Sequence, residues 1–281
     1  MECKVRAHAF QVVCLFRKTK VMSTVFVTLS DASYFPKAKR TIRELQVHGK
    51  WKGDIVLLAV DFTPEPIAGV RVRHISHLDT SLLFEQWKTH PIQAMPDNRH
   101  YGKVYQWDKL QVFTPYFRQW ERVVFLDAGL RVFDAVQPLL DLEWRNLMLA
   151  PDDADPYDNG SRFKRQLDLE ANPDVTTKLL NTYGDAMFTK RYFNNCIFVF
   201  DTNLLDRITY QELVTMMNDY PIFLCNETGL MNLAFNYKLG CWKAFPQRVG
   251  TKYLFAWSEN NYDERPDWGE FHFIKYSITH P

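Results

Sequence analysis

From Thr24 onward the chain alternates short apolar runs with stretches of helical periodicity, the pattern of crossover units around a mainly parallel sheet. The runs at 24–29, 55–60, 70–75 and 123–126 predict strands. Between them Ala38, Ile42 and Leu45 mark one helical face, and Val104, Trp107, Leu110 and Phe113 mark another that Pro115 closes. The second half is less regular: 147–150 and 196–200 read as strands, 213–217 and 230–237 as helices. The polar stretch 151–190, broken by Pro156, Gly160, Pro173 and Gly184, reads as a long irregular insert of the functional or mobile kind. Regular structure is expected after Met22, so residues 1–21 are taken as a loosely ordered extension and 22–281 as one α/β domain.

Composition narrows the class. With 281 residues, 46% of them hydrophobic, the chain can bury a large core and is not disordered. Its 34 Lys and Arg against 33 Asp and Glu give a net charge of +1, so no global field draws it to nucleic acid or an anionic membrane. The five cysteines are odd in number, widely spaced and free of any C-x-x-C pair, which fits a reducing compartment better than a disulfide or zinc framework. The sequons at Asn159 and Asn226 matter only in a secretory lumen. The apolar run 7–16 is far short of the roughly 20 residues that span a bilayer. A cytoplasmic protein without a transmembrane segment is the expectation.

The chemistry-bearing residues fall in six segments. In the stretch 122–133 an apolar strand ends on Asp127-Ala128-Gly129 and resumes at Arg131; a carboxylate at the carboxyl end of such a strand sits where open α/β sheets bind ligands. The stretch 28–38, with Leu29, Ser30, Asp31 and Tyr34, can offer backbone donors and an aromatic face, or can be an ordinary helix start capped by Ser33. Lys109 lies in the helical stretch 105–113, at its polar side or edge, where lysines are mostly solvated. Asn194 and Asn195 precede the strand at 196–200; their amides suit sugar hydroxyls or simply a turn. Glu227 opens a helix, a place where a carboxylate is stabilising by itself. His272 and Lys275 close the set.

Taken in order, these segments resemble the glycogenin-like family of nucleotide-sugar glycosyltransferases, from about Val25 to Lys275. The resemblance implies the A-type glycosyltransferase fold: one Rossmann-like domain with a mixed, mostly parallel sheet, 22–133 binding the nucleotide-sugar and 134–281 the acceptor. It implies that Leu29, Ser30, Asp31 and Tyr34 hold a uridine. It assigns Lys109, Asp127, Ala128, Gly129, Asn195 and Lys275 to the rest of the donor, and Glu227 and Asn194 to catalysis; Arg131, two residues past Gly129 and on the same face of a regular strand, is added as a donor-binding cation. The family's D-x-D element here reads Asp127-Ala128-Gly129, so the second carboxylate is absent. Cys196 stands where a glycine is usual, Glu227 replaces an aspartate, and Lys275 and Ile278 take the places of the terminal motif's glycine and lysine.

In the family a divalent cation balances the charge of the departing diphosphate. The resemblance implies Mn²⁺ or Mg²⁺ held by Asp127 and His272 with donor oxygens and waters. The alternative is that Arg131, Lys109 and Lys275 replace the ion, which gives EDTA-resistant activity. The reading is a transferase moving a hexose or pentose from a UDP-sugar to a saccharide or protein-linked hydroxyl, with retention. Inversion requires a general base, for which Asp152, Asp153 and Glu227 are candidates. The stretch 152–193 and the aromatics Trp257, Tyr262 and Trp268 are candidate acceptor surfaces. Two other readings stay open. One is a relative that binds sugar nucleotides but has lost catalysis through Gly129. The other is a sugar-1-phosphate nucleotidyltransferase, whose glycine-rich loop has no counterpart in 29–37.

Overall fold

The computed structural model describes residues 23–93, 99–154, 160–258 and 268–276. The expected extension at 1–21, Asn159, Tyr262 and the side chain of Trp268 lie outside the described residues.

The first crossover units form where the apolar runs place them. Strand β1 (Thr24–Ser30) leads through helix α1 (Phe35–Val47) to β2 (Asp54–Val60) and β3 (Val70–Ile75). Helix α2 (Ser81–Thr89), the single turn α3 (Arg99–Gly102) and a 3₁₀ helix at Val104–Phe113 then lead to β4 (Arg122–Leu126). After β5 (Arg131–Val132), α4 (Gln137–Leu140) and β6 (Met148–Ala150), the polar stretch contains α5 (Pro173–Tyr183) between two 3₁₀ turns. It is more ordered than expected: Pro173 is the first residue of α5, Asn172 caps it by accepting from Val175 N–H, and Gly184 ends it, so both breakers act as helix boundaries. Strand β7 (Ile197–Asp201), α6 (Tyr210–Asp219) and α7 (Glu227–Met231) follow, α7 running into a π-helical segment at Asn232–Lys238. Strands β8 (Trp242–Ala244), β9 (Arg248–Val249), β10 (Lys252–Ser258) and β11 (Phe271–Tyr276) complete the described chain.

The main sheet has seven strands in the order β3-β2-β1-β4-β7-β6-β8. Its first four strands are mutually parallel, whereas β7 runs antiparallel to both β4 and β6. A second sheet, β5-β11-β10-β9, packs beside it. Alternate side chains feed two cores: Val25, Val27, Val123, Phe125, Phe198 and Phe200 enter one, Phe26, Val124, Leu126, Ile197 and Val199 the other. Burial on both faces explains why these strands read as continuous apolar runs. The second core is closed by Ile42 and Leu45 of α1 and by Val132, Leu254 and Phe273 of the small sheet.

This topology positions the site. Because β7 is antiparallel to β4, with Leu126 opposite Ile197, the start of β7 meets the carboxyl end of β4. The Asp127 N–H donates to Cys196 O at 2.8 Å, which sets Asn195 beside Asp127. Among the described residues no helix is long and apolar enough to cross a membrane.

Candidate functional site

The centre of the site is Lys109. Its ammonium lies 2.8 Å from Glu227 Oε1 and 3.0 Å from Asp127 Oδ1, and it donates to Asn195 Oδ1 at 3.1 Å. The Phe125 ring lies beneath it, 5.4 Å away. The alternative of an ordinary solvated lysine fails here, and the helix type gives the reason. In a 3₁₀ helix residues three apart share a row, which puts Lys109 in line with Val112, and both are buried.

Asn195 ties the carboxylate to the lysine. Its Nδ2 donates to Glu227 Oε1 at 3.0 Å, while its Oδ1 also accepts from the Thr228 hydroxyl at 3.0 Å. Glu227 is 1% exposed, and its Oε2 has no hydrogen-bond partner among the described residues. A buried carboxylate oxygen left open is costly unless a ligand meets it. Burial pushes the Glu227 carboxyl above the ordinary carboxylate range, and Lys109 pulls the other way. For Lys109, burial opposes the charge, yet Asp127 and Glu227 outweigh it and its pKa lies above the usual lysine value.

Glu227 is aimed by the residue before it. Asn226 is fully buried, with φ 48° and ψ −128°, a conformation that a non-glycine residue holds only when its surroundings impose it. Here its Nδ2 donates to Lys103 O at 3.2 Å and Gln106 Oε1 at 3.0 Å, linking α7 to the segment that carries Lys109. Gly229 follows for a different reason: a Cβ there would stand 2.4 Å from Phe223 Cδ1.

At the end of β1, Asp31 Oδ1 accepts from both the Ser33 hydroxyl and the Tyr34 N–H, each at 2.8 Å. Ser33 therefore supports Asp31 rather than capping α1, whose N-cap is Tyr34. The Tyr105 hydroxyl donates to that of Tyr34 at 3.1 Å, with ring centroids 5.7 Å apart. Leu29 is half-buried and Ser30 buried; the Ser30 hydroxyl has no partner among the described residues.

The Asp127-Ala128-Gly129 turn is gripped from two sides. Lys275 Nζ donates to Ala128 O at 3.1 Å and lies 3.9 Å from Asp127 Oδ2. Gly129 N–H donates to Thr41 Oγ1 on α1 at 3.0 Å, and Gly129 has φ 88°. Glycine holds that backbone without strain, whereas any side chain, including the better-tolerated aspartate, is strained there, so glycine in place of the second carboxylate matches the local geometry.

One expected donor residue, Arg131, and the expected metal ligand His272 are not brought to this cluster. Arg131 Nε lies 2.8 and 3.0 Å from the two oxygens of Glu44, and Val132 N–H adds a third bond to that carboxylate. Arg131 is thereby buried against α1. His272 Nδ1 lies 3.2 Å from Ala135 O, burial lowers its pKa, and the charges acting on it are those of Asp134 and Lys252. Asn194 stands apart from Glu227 as well. Its Nδ2 donates to Asp153 Oδ1 at 3.3 Å and its Oδ1 accepts from Cys196 N–H, while Asp153 Oδ2 accepts from the Tyr192 hydroxyl at 2.6 Å. Thr228, Tyr105, Asn226 and Asp153 join the site without having been singled out for donor binding. For Tyr105 the signal was present, four residues before Lys109.

These residues do not fit a divalent cation. Among the described residues no three His, Cys, Asp or Glu side chains are grouped to hold a metal. Asp127 has an ammonium at 3.0 Å from one oxygen and another at 3.9 Å from the second. A doubly charged ion about 4 Å from one ammonium is repelled by about 8 kcal/mol at an effective dielectric constant of about 20, which offsets what one carboxylate at that distance offers, and here two ammonium groups stand at a single aspartate. Lys109 is held by Glu227 and Asn195 besides Asp127, so it cannot withdraw.

Comparison with solved structures matches this architecture. The chain aligns with the apo bifunctional glycosyltransferase WbbM over 92% of its own length, at TM-score 0.57 and 16% identity, and spans 46% of that protein. It aligns with the galactosyltransferase LgtC, solved with donor and acceptor sugar analogues, at TM-score 0.56 and 13% identity, covering 90% of this chain and 87% of LgtC. The fold is that of the A-type glycosyltransferases. No protein-family model matches the sequence, and no curated protein matches it. At such identities the likeness speaks to the fold, and the site must be argued from its own geometry.

Proposed function

We propose that the protein transfers a sugar from a nucleoside diphosphate to a hydroxyl acceptor. The observation that carries this reading is the open Oε2 of Glu227, buried beside Lys109 at the carboxyl ends of the parallel strands. In open α/β sheets that is where ligands bind. UDP-sugars are the donors favoured by the resemblance to the glycogenin-like family, and retention is the outcome it favours.

In this reading the β1–α1 turn and the Tyr34–Tyr105 pair receive the base, and Asp127 offers its remaining lone pairs to ribose or sugar hydroxyls. Glu227, fixed through Oε1 by Lys109 and Asn195, turns Oε2 toward the anomeric carbon. Positive charge develops there as the glycosidic bond breaks. Asn194 and Asp153, joined at 3.3 Å, border the side on which an acceptor hydroxyl approaches. Incubation with a panel of nucleoside diphospho-sugars and simple saccharides tests this, read as released nucleoside diphosphate and new glycoside.

A second reading, a sugar-nucleotide-binding protein without turnover, is favoured by the engagement of both Asp127 oxygens with lysines. Nucleotide binding with no release of sugar across the panel would establish it.

A further inference from the structure

We propose that the donor diphosphate is neutralised by the ammonium of Lys275, in place of a divalent cation. The inference rests on the donor-site reading above and says what holds the phosphates.

Three cations were candidates for this task, and their partners separate them. Arg131 is committed to Glu44 through both carboxylate oxygens. Lys109 is committed to Asp127, Glu227 and Asn195. Among the described residues Lys275 Nζ has only the Ala128 carbonyl at 3.1 Å and Asp127 Oδ2 at 3.9 Å, and its side chain is 16% exposed, against 9% for Lys109. It can exchange a backbone carbonyl for a phosphate oxygen with little rearrangement, gaining a charge-assisted bond.

Its place in the fold is also suitable. On β11, Ile274 pairs with Arg131 of β5, so Lys275 lies one position nearer the Asp127-Ala128-Gly129 turn and reaches back over it. The charges agree. Relative to the pattern that the sequence resembles, Gly129 removes one negative charge, Lys275 adds one positive charge and Ile278 removes one positive charge, so the local charge shifts by +1. Such a site binds a diphosphate without metal, whereas a metal added to it meets two ammonium groups.

The test is calorimetric titration of the whole protein with UDP and with GDP, in EDTA and in Mn²⁺. The expected result is binding in EDTA with an affinity within about threefold of that in Mn²⁺. Lys275→Ala should weaken it about tenfold or more, Lys275→Arg should largely preserve it, and near-UV circular dichroism should match the wild type. Should Lys275→Ala fail to fold, the wild-type comparison and the Lys275→Arg affinity decide the matter. Binding that requires Mn²⁺, or that Lys275→Ala leaves unchanged, overturns the proposal while leaving the donor site in place. Absence of nucleotide binding under both conditions removes the donor-site reading and this inference with it.

Discussion

Lys109 lies 2.8 Å from Glu227 Oε1, a contact between a 3₁₀ helix before β4 and the first residue of α7. Both side chains are almost fully buried. The pair joins two segments that are far apart in sequence. It also fixes the orientation of the one carboxylate oxygen left open.

Lys109→Met leaves two carboxylates facing each other without their cation. A stability loss of about 3–5 kcal/mol is expected in urea unfolding at neutral pH, the usual cost of stranding a buried charge. Adding Glu227→Gln should recover part of it, because the two sites are coupled.

The same lysine shapes the alkaline limb of stability. Its pKa in the folded state is raised above the ordinary 10.5, so the folded protein keeps a proton that the unfolded chain has released. That contribution is complete below 10.5 and is lost as pH rises beyond it. Unfolding free energy should fall more steeply as pH rises above about 10.5 in the wild type than in Lys109→Met.

Arg131 is expected to act on folding and not on nucleotide affinity. Arg131→Ala leaves Glu44 buried and unpaired, at a cost of about 3–5 kcal/mol. In the fraction that remains folded, UDP affinity should equal that of the wild type. A selective loss of affinity would return Arg131 to the donor site.

Gly129→Asp restores the two-carboxylate sequence, but at φ 88°. The backbone strain should cost roughly 1–2 kcal/mol, seen as a lower melting temperature, and Mn²⁺ should not raise that temperature. Gly229→Ala places a Cβ 2.4 Å from Phe223, and overpacking of this kind costs about 1–3 kcal/mol.

The parallel strands were legible because burial on both faces leaves uninterrupted apolar runs. Lys109 was legible as a residue but not as a buried one. The spacing of Val104, Trp107, Leu110 and Phe113 is three throughout, the 3₁₀ period, and reading it as an α-helix left Lys109 at a polar edge. The bonds of Arg131 to Glu44 and of Asn195 to Glu227 join residues 87 and 32 positions apart, so local pattern carries no trace of them. Strands β5, β8 and β9 have two or three residues each, too few to show a period. Pro173 and Gly184 were visible as breaks, but the helix they bound needed Asn172 to be read as its cap.

The most direct measurement is the rate of nucleoside diphosphate release from a donor panel led by UDP-glucose and UDP-galactose, for the wild type and Glu227→Gln. Both proteins must first show equal UDP affinity in EDTA. Release by the wild type that falls about a hundredfold or more in the variant is expected if Glu227 Oε2 faces the reacting carbon. Equal rates in the two proteins, or no nucleotide binding by either, would contradict the donor-site account.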